Sequence, residues 1–180
     1  SSVLPSETET CTKLSGNLNL KIPLMSSAMD TVTESKMAIA VSKSGGIGVI
    51  HRNLSIEKQV AEIKKVKKNK YLIGAAIGVG PEDFERAEEL VEIKTDLIVI
   101  DTAHGHTQKV INMISKIKKK LKKCTLCAGN IATGKAAKFL ADSGVDIVKV
   151  GIGPGSICTT RLVAGIGVPQ LSAVLEVKKA

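Results

Sequence analysis

Short runs of apolar residues alternate along the chain with longer stretches in which apolar residues recur every three or four positions. The short runs are almost continuously apolar, which is typical of strands buried on both faces of a parallel sheet. Runs of this kind, alternating with amphipathic helices, predict an α/β fold. Six strands are predicted, at residues 21–28, 45–51, 71–78, 96–103, 125–132 and 146–153.

The stretches between these strands have the pattern of amphipathic helices. The first presents Met37, Ala40 and Val41 on one side. The second begins after Ser55, a residue type that caps helix N-termini, and the third opens with Pro81 and two acidic residues, a favoured helix start. Six helices are predicted, within residues 33–45, 55–66, 81–93, 107–121, 134–144 and 170–180.

The positions of polar residues distinguish between two α/β architectures. A doubly wound dinucleotide-binding fold carries a glycine-rich turn after its first strand, and the corresponding residues here, SSAMDTVTES, lack it. A TIM (β/α)8 barrel instead places its chemistry at the carboxyl ends of many strands. Polar residues follow most of the predicted strands: Ser26, Ser27, His51, Asp101, His104 and Asn130. The sequence therefore predicts a TIM barrel.

About six β/α units are visible, fewer than the eight of a complete barrel, which needs about 250 residues. A six-stranded remnant would leave two exposed sheet edges, which makes a poor independent fold. We therefore expect residues 1–180 to form a partial TIM-barrel catalytic domain and to be an incomplete view of the polypeptide.

Charge and composition argue against nucleic acid as the partner. The net charge of +9 comes largely from lysine clusters at residues 64–70 and 116–123, each at the end of a predicted helix, where lysines interact favourably with the helix dipole. A phosphate-binding surface is the alternative interpretation of these clusters. Aromatic residues make up only 2% of the chain, so platforms for base stacking are missing.

The remaining composition points to the cytoplasm. No run of about 18 apolar residues occurs, and the first residues lack the basic and apolar regions of a signal peptide. A chain of this length does not need disulfides as a framework, so we expect free thiols in a reducing compartment. These thiols belong to Cys11, Cys124, Cys127 and Cys158.

The stretch VGIGPGSICTTRL, residues 150–162, carries the most distinctive candidate chemistry. Its glycines allow backbone conformations in which carbonyls and amides both turn inward. Such carbonyls suit a hard monovalent cation, and the amides together with Ser156 suit a phosphate. Inward amides or the nearby Arg161 would lower the pKa of Cys158 and favour a nucleophilic thiolate. An inert cysteine after a tight turn is the alternative.

Two further strand ends carry candidate site residues. Asp101 ends the fourth predicted strand, where a carboxylate can accept hydrogen bonds from ribose hydroxyls; a loop-ordering role is the alternative. Asn130 ends the fifth, where its side chain can hydrogen-bond a substrate carbonyl. Cys124 and Cys127 form a CxxC pair without a second pair, on a strand pattern, so we interpret them as core residues.

Several blocks of the sequence match, in order, the motifs of a known enzyme family: SSVLPSE, PLMSSAMDTVTES, GGIGVIHRNLSIEKQ, IVIDTAHGH, AGNIAT and VKVGIGPGSICTTR. On these blocks the chain resembles the IMP dehydrogenase and GMP reductase family, and SSAMDTVTES and DTAHGH resemble its dehydrogenase branch. The resemblance implies a TIM barrel that oxidises IMP to XMP with NAD, in guanine nucleotide biosynthesis. It also implies a homotetramer that binds potassium.

The resemblance assigns roles to matching positions. Cys158 is expected to attack C2 of the purine and form a covalent thioimidate. Ser156 is expected to hold the IMP phosphate, with Asn130 and Thr160 beside the substrate. The NAD site is expected to be lined by Asp101, Gly151, Ile152 and Gly153. The potassium ion is expected to be bound by the backbone carbonyls of Gly153, Gly155 and Cys158.

The chain also lacks parts of the family pattern. The later strands and the mobile flap, whose Arg-Tyr pair activates water, are missing, and no pair of regulatory CBS modules is visible between about residues 66 and 72. A GMP reductase, which converts GMP to IMP with NADPH, is one alternative function. A non-catalytic nucleotide- or RNA-binding barrel that uses the lysine clusters is the other.

Overall fold

A computed structural model describes residues 2–16 and 18–180, which fall into two compact units divided between Ala75 and Ala76. Ser1 and Asn17 lie outside the described residues. After a 3-10 turn at Pro5–Glu7, the elements of the first unit are β1 (Thr12–Ser15), β2 (Leu18–Leu20), α1 (Ser35–Lys43), β3 (Gly48–Ile50), α2 (Ile56–Lys67) and the start of β4 (Ile73–Ile77).

The first unit opens with an antiparallel hairpin that the apolar pattern did not predict. Strands β1 and β2 pair with Thr12 opposite Leu20 and Ser15 opposite Leu18. Gly16 follows β1 with φ of +49°, a conformation that favours glycine at a turn. Leu18 and Leu20 are buried, so the short alternation of leucines between polar residues was the available signal.

The predicted strand at residues 21–28 is wrong. This segment makes only a single parallel bridge, between Met25 and Ile47. Ile47 donates to the Leu24 carbonyl and accepts from Ser26 N, which supports the bridge on both sides. Pro23 has no N–H to donate, so a regular ladder cannot extend through the segment.

Helix α1 packs closely on β3, but not by the side that the sequence suggested. Met37 is 42% exposed, whereas Ala38 is fully buried. A Cβ at Gly48 would lie 2.5 Å from the Cβ of Ala38, so the helix and strand approach each other through two small residues. Helix α2 begins as predicted, because the Ser55 side chain accepts a hydrogen bond from Lys58 N.

The second unit contains the end of β4 and a regular alternation of helices and strands. Its further elements are α3 (Asp83–Glu92), β5 (Leu97–Asp101), α4 (Gln108–Lys120), β6 (Leu126–Ile131), α5 (Gly134–Asp142), β7 (Ile147–Val150), α6 (Thr160–Val163) and α7 (Gln170–Lys179). Strand β5 pairs in parallel with β6, and β6 with β7. In the first unit, β3 pairs in parallel with residues 73–75 of β4.

The core lies where these strands contact the helices. Leu97, Ile98, Ile100 and Leu126 are fully buried, and each side chain of this size contributes about 1.5–3 kcal/mol by leaving water. Strand β7 is only partly buried along its length. In the second unit, β5 and β6 therefore supply the packed centre, and β7 carries the loop that follows it.

The structure confirms most of the predicted alternation. Five of the six predicted strands and all six predicted helices are present, and the one-turn helix α6 is additional. The lysine clusters lie at the ends of α2 and α4, as predicted. No helix in the described ranges is both long and apolar enough to cross a bilayer.

Candidate active site

The candidate site lies at the carboxyl ends of β5, β6 and β7. The register places Asp101 opposite Gly129 and Gly129 opposite Lys149. Because the carboxyl ends of parallel strands meet at one edge of a sheet, Asp101, Asn130 and the loop after Val150 lie at the same end of the second unit. The structure therefore brings together predicted residues that are about 50 positions apart in the chain.

Asp101 forms an ion pair that the sequence did not reveal. Lys149 Nζ lies 2.6 Å from Asp101 Oδ1, and the two side chains are 40% and 25% exposed. The other carboxylate oxygen of Asp101 has no hydrogen-bond partner within the described residues. The signal for Lys149 was a single lysine inside the apolar run DIVKVGIG.

The backbone of Asn130 is fixed from both sides. Its N–H donates to the Thr102 carbonyl and its carbonyl accepts from Gly105 N, both at 2.8 Å. Its side-chain Oδ1 is buried without a hydrogen-bond partner in the described part of the chain. A buried acceptor without a donor costs free energy, so the side chain of Asn130 is not fully satisfied by the described residues.

The loop after β7 is anchored at both ends. Gly151 N donates to the Ile131 carbonyl at 2.8 Å, and Val168 N donates to the Ile152 carbonyl at 3.0 Å. Gln170 Nε2 donates to the Val150 carbonyl at 3.0 Å. These contacts use the Gly151 amide and the Ile152 carbonyl within the chain, so only the remaining groups of residues 151–153 are available to a ligand.

Inside this loop, the Gly155 carbonyl accepts two hydrogen bonds, from Cys158 N at 3.1 Å and from Arg161 Nη2 at 3.2 Å. A carbonyl oxygen has two lone pairs, and both are in use here. Gly155 therefore does not fit the predicted potassium ligand in this conformation. The proposed carbonyls of Gly153 and Cys158 stay predictions.

Cys158 is partly exposed, and its Sγ lies 3.2 Å from Thr160 Oγ1. The hydrogen bond with the Thr160 side chain is the largest cause that lowers the pKa of this thiol, followed by one with the Thr160 backbone and then by the charge of Arg161. A hydroxyl that donates to a thiolate stabilises the charged form. The environment of Cys158 therefore favours a nucleophile.

The other cysteines lie in different environments. Burial raises the pKa of Cys124 to about 11 and that of Cys127 to about 12. A hydrogen bond to the Glu9 carboxylate raises the pKa of the exposed Cys11. All four are free thiols, and the interpretation of Cys124 and Cys127 as core residues is confirmed. Cys158 is the cysteine whose pKa is lowered.

Ser156 and Thr160 lie on either side of Cys158 and are both exposed. Thr160 begins α6 and contacts the thiol. Ser156 stands on the outer part of the loop, which is an accessible position for the predicted phosphate contact.

The polar end of β3, in the first unit, has a structural role. His51 is 3% exposed. Its Nδ1 accepts from Asn53 N at 3.2 Å, so Nε2 carries the hydrogen and donates to Glu34 Oε1 at 3.3 Å. Gln59 Nε2 donates to the His51 carbonyl at 3.0 Å. These contacts hold the loop after β3 in place.

A family model described as "IMP dehydrogenase / GMP reductase domain" matches residues 1–180. The chain belongs to the IMP dehydrogenase / GMP reductase family. The TIM barrel is the fold of this family, so the prediction of a partial barrel with about six β/α units is confirmed. Five units have regular strands, and in the first the Met25 bridge takes the place of one.

Three curated relatives share the name inosine-5'-monophosphate dehydrogenase. The chain is 45% identical to the inosine-5'-monophosphate dehydrogenase of Borreliella burgdorferi, which it matches over 100% of its own length and 57% of the relative's. For the proteins of that name from Cryptosporidium parvum and Streptococcus pyogenes, identity is 43% and 33%, over 97% and 98% of the chain. These matches span 54% and 62% of the relatives. The chain thus spans little more than half the length of these relatives.

Proposed function

We propose that this chain carries the substrate-oxidising part of an NAD-dependent IMP dehydrogenase, which converts IMP to XMP. The observation that carries the proposal is the partly exposed Cys158, whose pKa is lowered by Thr160. Its loop follows β7, at the same end of the second unit as Asp101 and Asn130. The names of the curated relatives favour the dehydrogenase over the reductase.

In the proposed reaction, the Cys158 thiolate forms a bond to C2 of the purine. The hydrogen on C2 then leaves with its electron pair as hydride, so the carbon is oxidised and a thioimidate remains on Cys158. Water adds to C2, and the C–S bond breaks to release XMP and the thiol. When bound, NAD supplies the hydride acceptor. In the neutral state, Cys158 Sγ donates to Thr160 Oγ1 at 3.2 Å. Once the thiol has lost its proton, the Thr160 hydroxyl can donate to the thiolate instead and stabilise it before it attacks.

Substrate contacts follow from the accessible groups around the thiol. The Ser156 hydroxyl is exposed on the loop and is proposed to donate to the IMP phosphate. Asn130 is partly exposed, and its side-chain amide is proposed to donate a hydrogen bond to a substrate carbonyl. Fixing the reactive carbon near Cys158 in this way replaces an unfavourable encounter in solution by an oriented complex.

The residues at the end of β5 fit a nicotinamide cofactor. Asp101 keeps one carboxylate oxygen without a partner in the described residues, and Lys149 fixes the other. The unpartnered oxygen is proposed to accept from a ribose hydroxyl, as acidic residues do in other dinucleotide sites. Gly151, Ile152 and Gly153 are proposed to lie against the cofactor.

Two further parts of the predicted enzyme stay proposals: a homotetramer, which rests on the resemblance, and a cytoplasmic location, which rests on the composition. The predicted potassium requirement is not carried forward, because the Gly155 carbonyl already accepts two hydrogen bonds. In this chain, α2 connects directly to β4 through residues 68–72, which is the stretch in which no CBS pair is visible in the sequence. The alignments extend over 230 and 304 positions, more than the 180 residues of this chain, so the relatives carry inserted residues.

The test is NADH formation from IMP and NAD by the purified protein, followed by absorbance. The reductase alternative predicts NADPH consumption with GMP and none of this signal. The family's water-activating flap is not among these residues, so the second measurement does not depend on hydrolysis. A 6-halogenated purine nucleotide is expected to label Cys158, detected by mass spectrometry of its peptide. A protein that shows neither NADH formation nor labelling would refute the proposal.

A further inference from the structure

Arg161 is held against the loop that precedes the nucleophile. A Cβ at Gly167 would lie 2.5 Å from Arg161 Cγ and 2.8 Å from its Cδ, and a Cβ at Gly153 would lie 3.1 Å from Cγ. Any larger residue at Gly167 would therefore displace the arginine side chain. Gly153 has φ of +62° and Gly165 of +64°, so glycines also turn the backbone on both sides of Arg161.

The charged end of Arg161 reaches the backbone of the same loop. Its Nη2 donates to the Gly155 carbonyl at 3.2 Å, the carbonyl that also accepts from Cys158 N. The hydrogen bond from Cys158 N to this oxygen closes the turn formed by residues 155–158, and Arg161 binds the same oxygen. The guanidinium group carries a full positive charge, so a cation is present at this carbonyl without an added ion.

A metal ion at the same oxygen would have to replace one of these donors. Hard monovalent cations bind several carbonyl oxygens at once, and a carbonyl that already accepts two hydrogen bonds has no free lone pair. The guanidinium and a metal ion are thus alternatives at Gly155, because both are positive charges directed at one atom.

We propose that Arg161 is the built-in cation of this loop: its guanidinium, rather than a monovalent metal ion, holds the Gly155 carbonyl and orders residues 153–158. A monovalent ion competes with Arg161 for that carbonyl. This inference goes beyond the proposed activity, and its test needs neither IMP nor NAD, so the two proposals fail independently.

The test measures hydrogen–deuterium exchange at the Cys158 amide, which donates to Gly155. In the unaltered protein, exchange is expected to be equal in potassium and lithium chloride of the same ionic strength. In Arg161→Ala, exchange is expected to rise by about tenfold or more, because the turn opens more often. Potassium, or methylguanidinium that fills the vacated space, is expected to slow it again, and lithium is not.

Two variants separate the charge from other effects. Arg161→Gln keeps N–H donors without the charge and is expected to gain the same dependence on potassium, whereas Arg161→Lys keeps the charge and is expected to stay independent of it. This pair also decides the matter if Arg161→Ala fails to fold. Arg52→Ala, at another exposed arginine, is the matched control and is expected to change nothing. Slower exchange of the unaltered protein in potassium than in lithium, or no change in the Arg161 variants, would overturn the proposal.

Discussion

Strand β6 and the loop after β7 place the same kind of side chain in opposite environments. Cys127 on β6 is 3% exposed, and burial raises its pKa to about 12. Cys158 on the loop is partly exposed, and the Thr160 hydrogen bond lowers its pKa. A thiol becomes a nucleophile only where water or a donor stabilises its charge, so the fold decides which cysteine can react.

The two regions are also held in place by different forces. On β6, Leu126 and Ala128 are fully buried. On the loop, Ile157 is 92% exposed and Leu162 is 86% exposed, so apolar burial contributes little there. Hydrogen bonds such as that from Gln170 to Val150 fix the loop instead. Changes in the loop should therefore affect chemistry, and changes on the strand should affect stability.

The largest expected effect is a loss of NADH formation when Cys158, but not Cys127, is replaced. Cys158→Ala is expected to reduce NADH formation from IMP by about a thousandfold or more, because the covalent route is lost. Cys127→Ala is the matched control, and its rate is expected to stay within a few-fold of the unaltered protein. The rate of NADH formation in a single turnover, at saturating IMP and NAD, measures both. Comparable activity in Cys158→Ala would remove the nucleophile from the proposed mechanism.

The next effect tests the difference in packing. Leu126→Ala is expected to lower the free energy of unfolding by about 2–5 kcal/mol, because it leaves a cavity in the core. Ile157→Ala removes a side chain that is already in water, so a change of no more than about 0.5 kcal/mol is expected. Urea titrations followed by circular dichroism measure both variants. A loss at Ile157 that matches the loss at Leu126 would show that the loop is packed in solution.

The sequence predicted the strand that carries Cys127 better than it predicted the start of the chain. Runs such as TLCAGNIA are apolar throughout, and full burial on β6 follows from that. The run KIPLMSSA looks similar, yet Pro23 lacks the N–H that a ladder needs, and only the Met25 bridge forms. The apolar pattern shows which residues can be buried in a strand. Whether that segment pairs with a neighbouring strand also depends on which of its residues have a backbone N–H to donate.

For the site residues too, the sequence predicted which side chains are present but not all of their contacts. Ser156, Cys158 and Thr160 lie within five positions of one another in GPGSICTT, so the sequence alone predicted that they are close together. The ion pair of Asp101 with Lys149 was not predictable in this way, because the two residues lie 48 positions apart. They come together only through the pairing of β5 with β6 and of β6 with β7. The two hydrogen bonds at Gly155 likewise depend on how the loop closes, which its composition does not specify.

A smaller effect is expected from pH, through the buried thiols. An unfolded cysteine has a pKa of about 8.5, whereas those of Cys124 and Cys127 in the fold are about 11 and about 12. Above the unfolded pKa, the unfolded chain binds fewer protons than the folded chain, so the free energy of unfolding falls as pH rises. Each thiol is expected to contribute a loss of about 1.4 kcal/mol per pH unit between its unfolded and folded pKa values.

Urea titrations between about pH 8 and pH 10 measure this loss. Cys127→Ala is expected to show a shallower decline than the unaltered protein, because one of the two thiols no longer titrates on unfolding. Cys158→Ala serves as the control and is expected to keep the steeper decline, since its pKa is not raised by the fold. Identical slopes for the unaltered protein and Cys127→Ala would contradict the assignment of that thiol to the core.

The smallest effect is expected at the hydroxyl beside Cys158. Thr160→Val keeps the shape of the side chain but removes the donor to the thiolate, so the pKa of Cys158 should rise towards its ordinary value. The hydrogen bond with the Thr160 backbone and, to a lesser extent, the charge of Arg161 still lower the pKa of Cys158, which limits the change. The pH dependence of alkylation by iodoacetamide, resolved for the Cys158 peptide by mass spectrometry, should move to higher pH. Thr159→Val, one residue away, is the matched control and should leave the profile unchanged; an unchanged profile in Thr160→Val would mean that the loop alone sets the reactivity of the thiol.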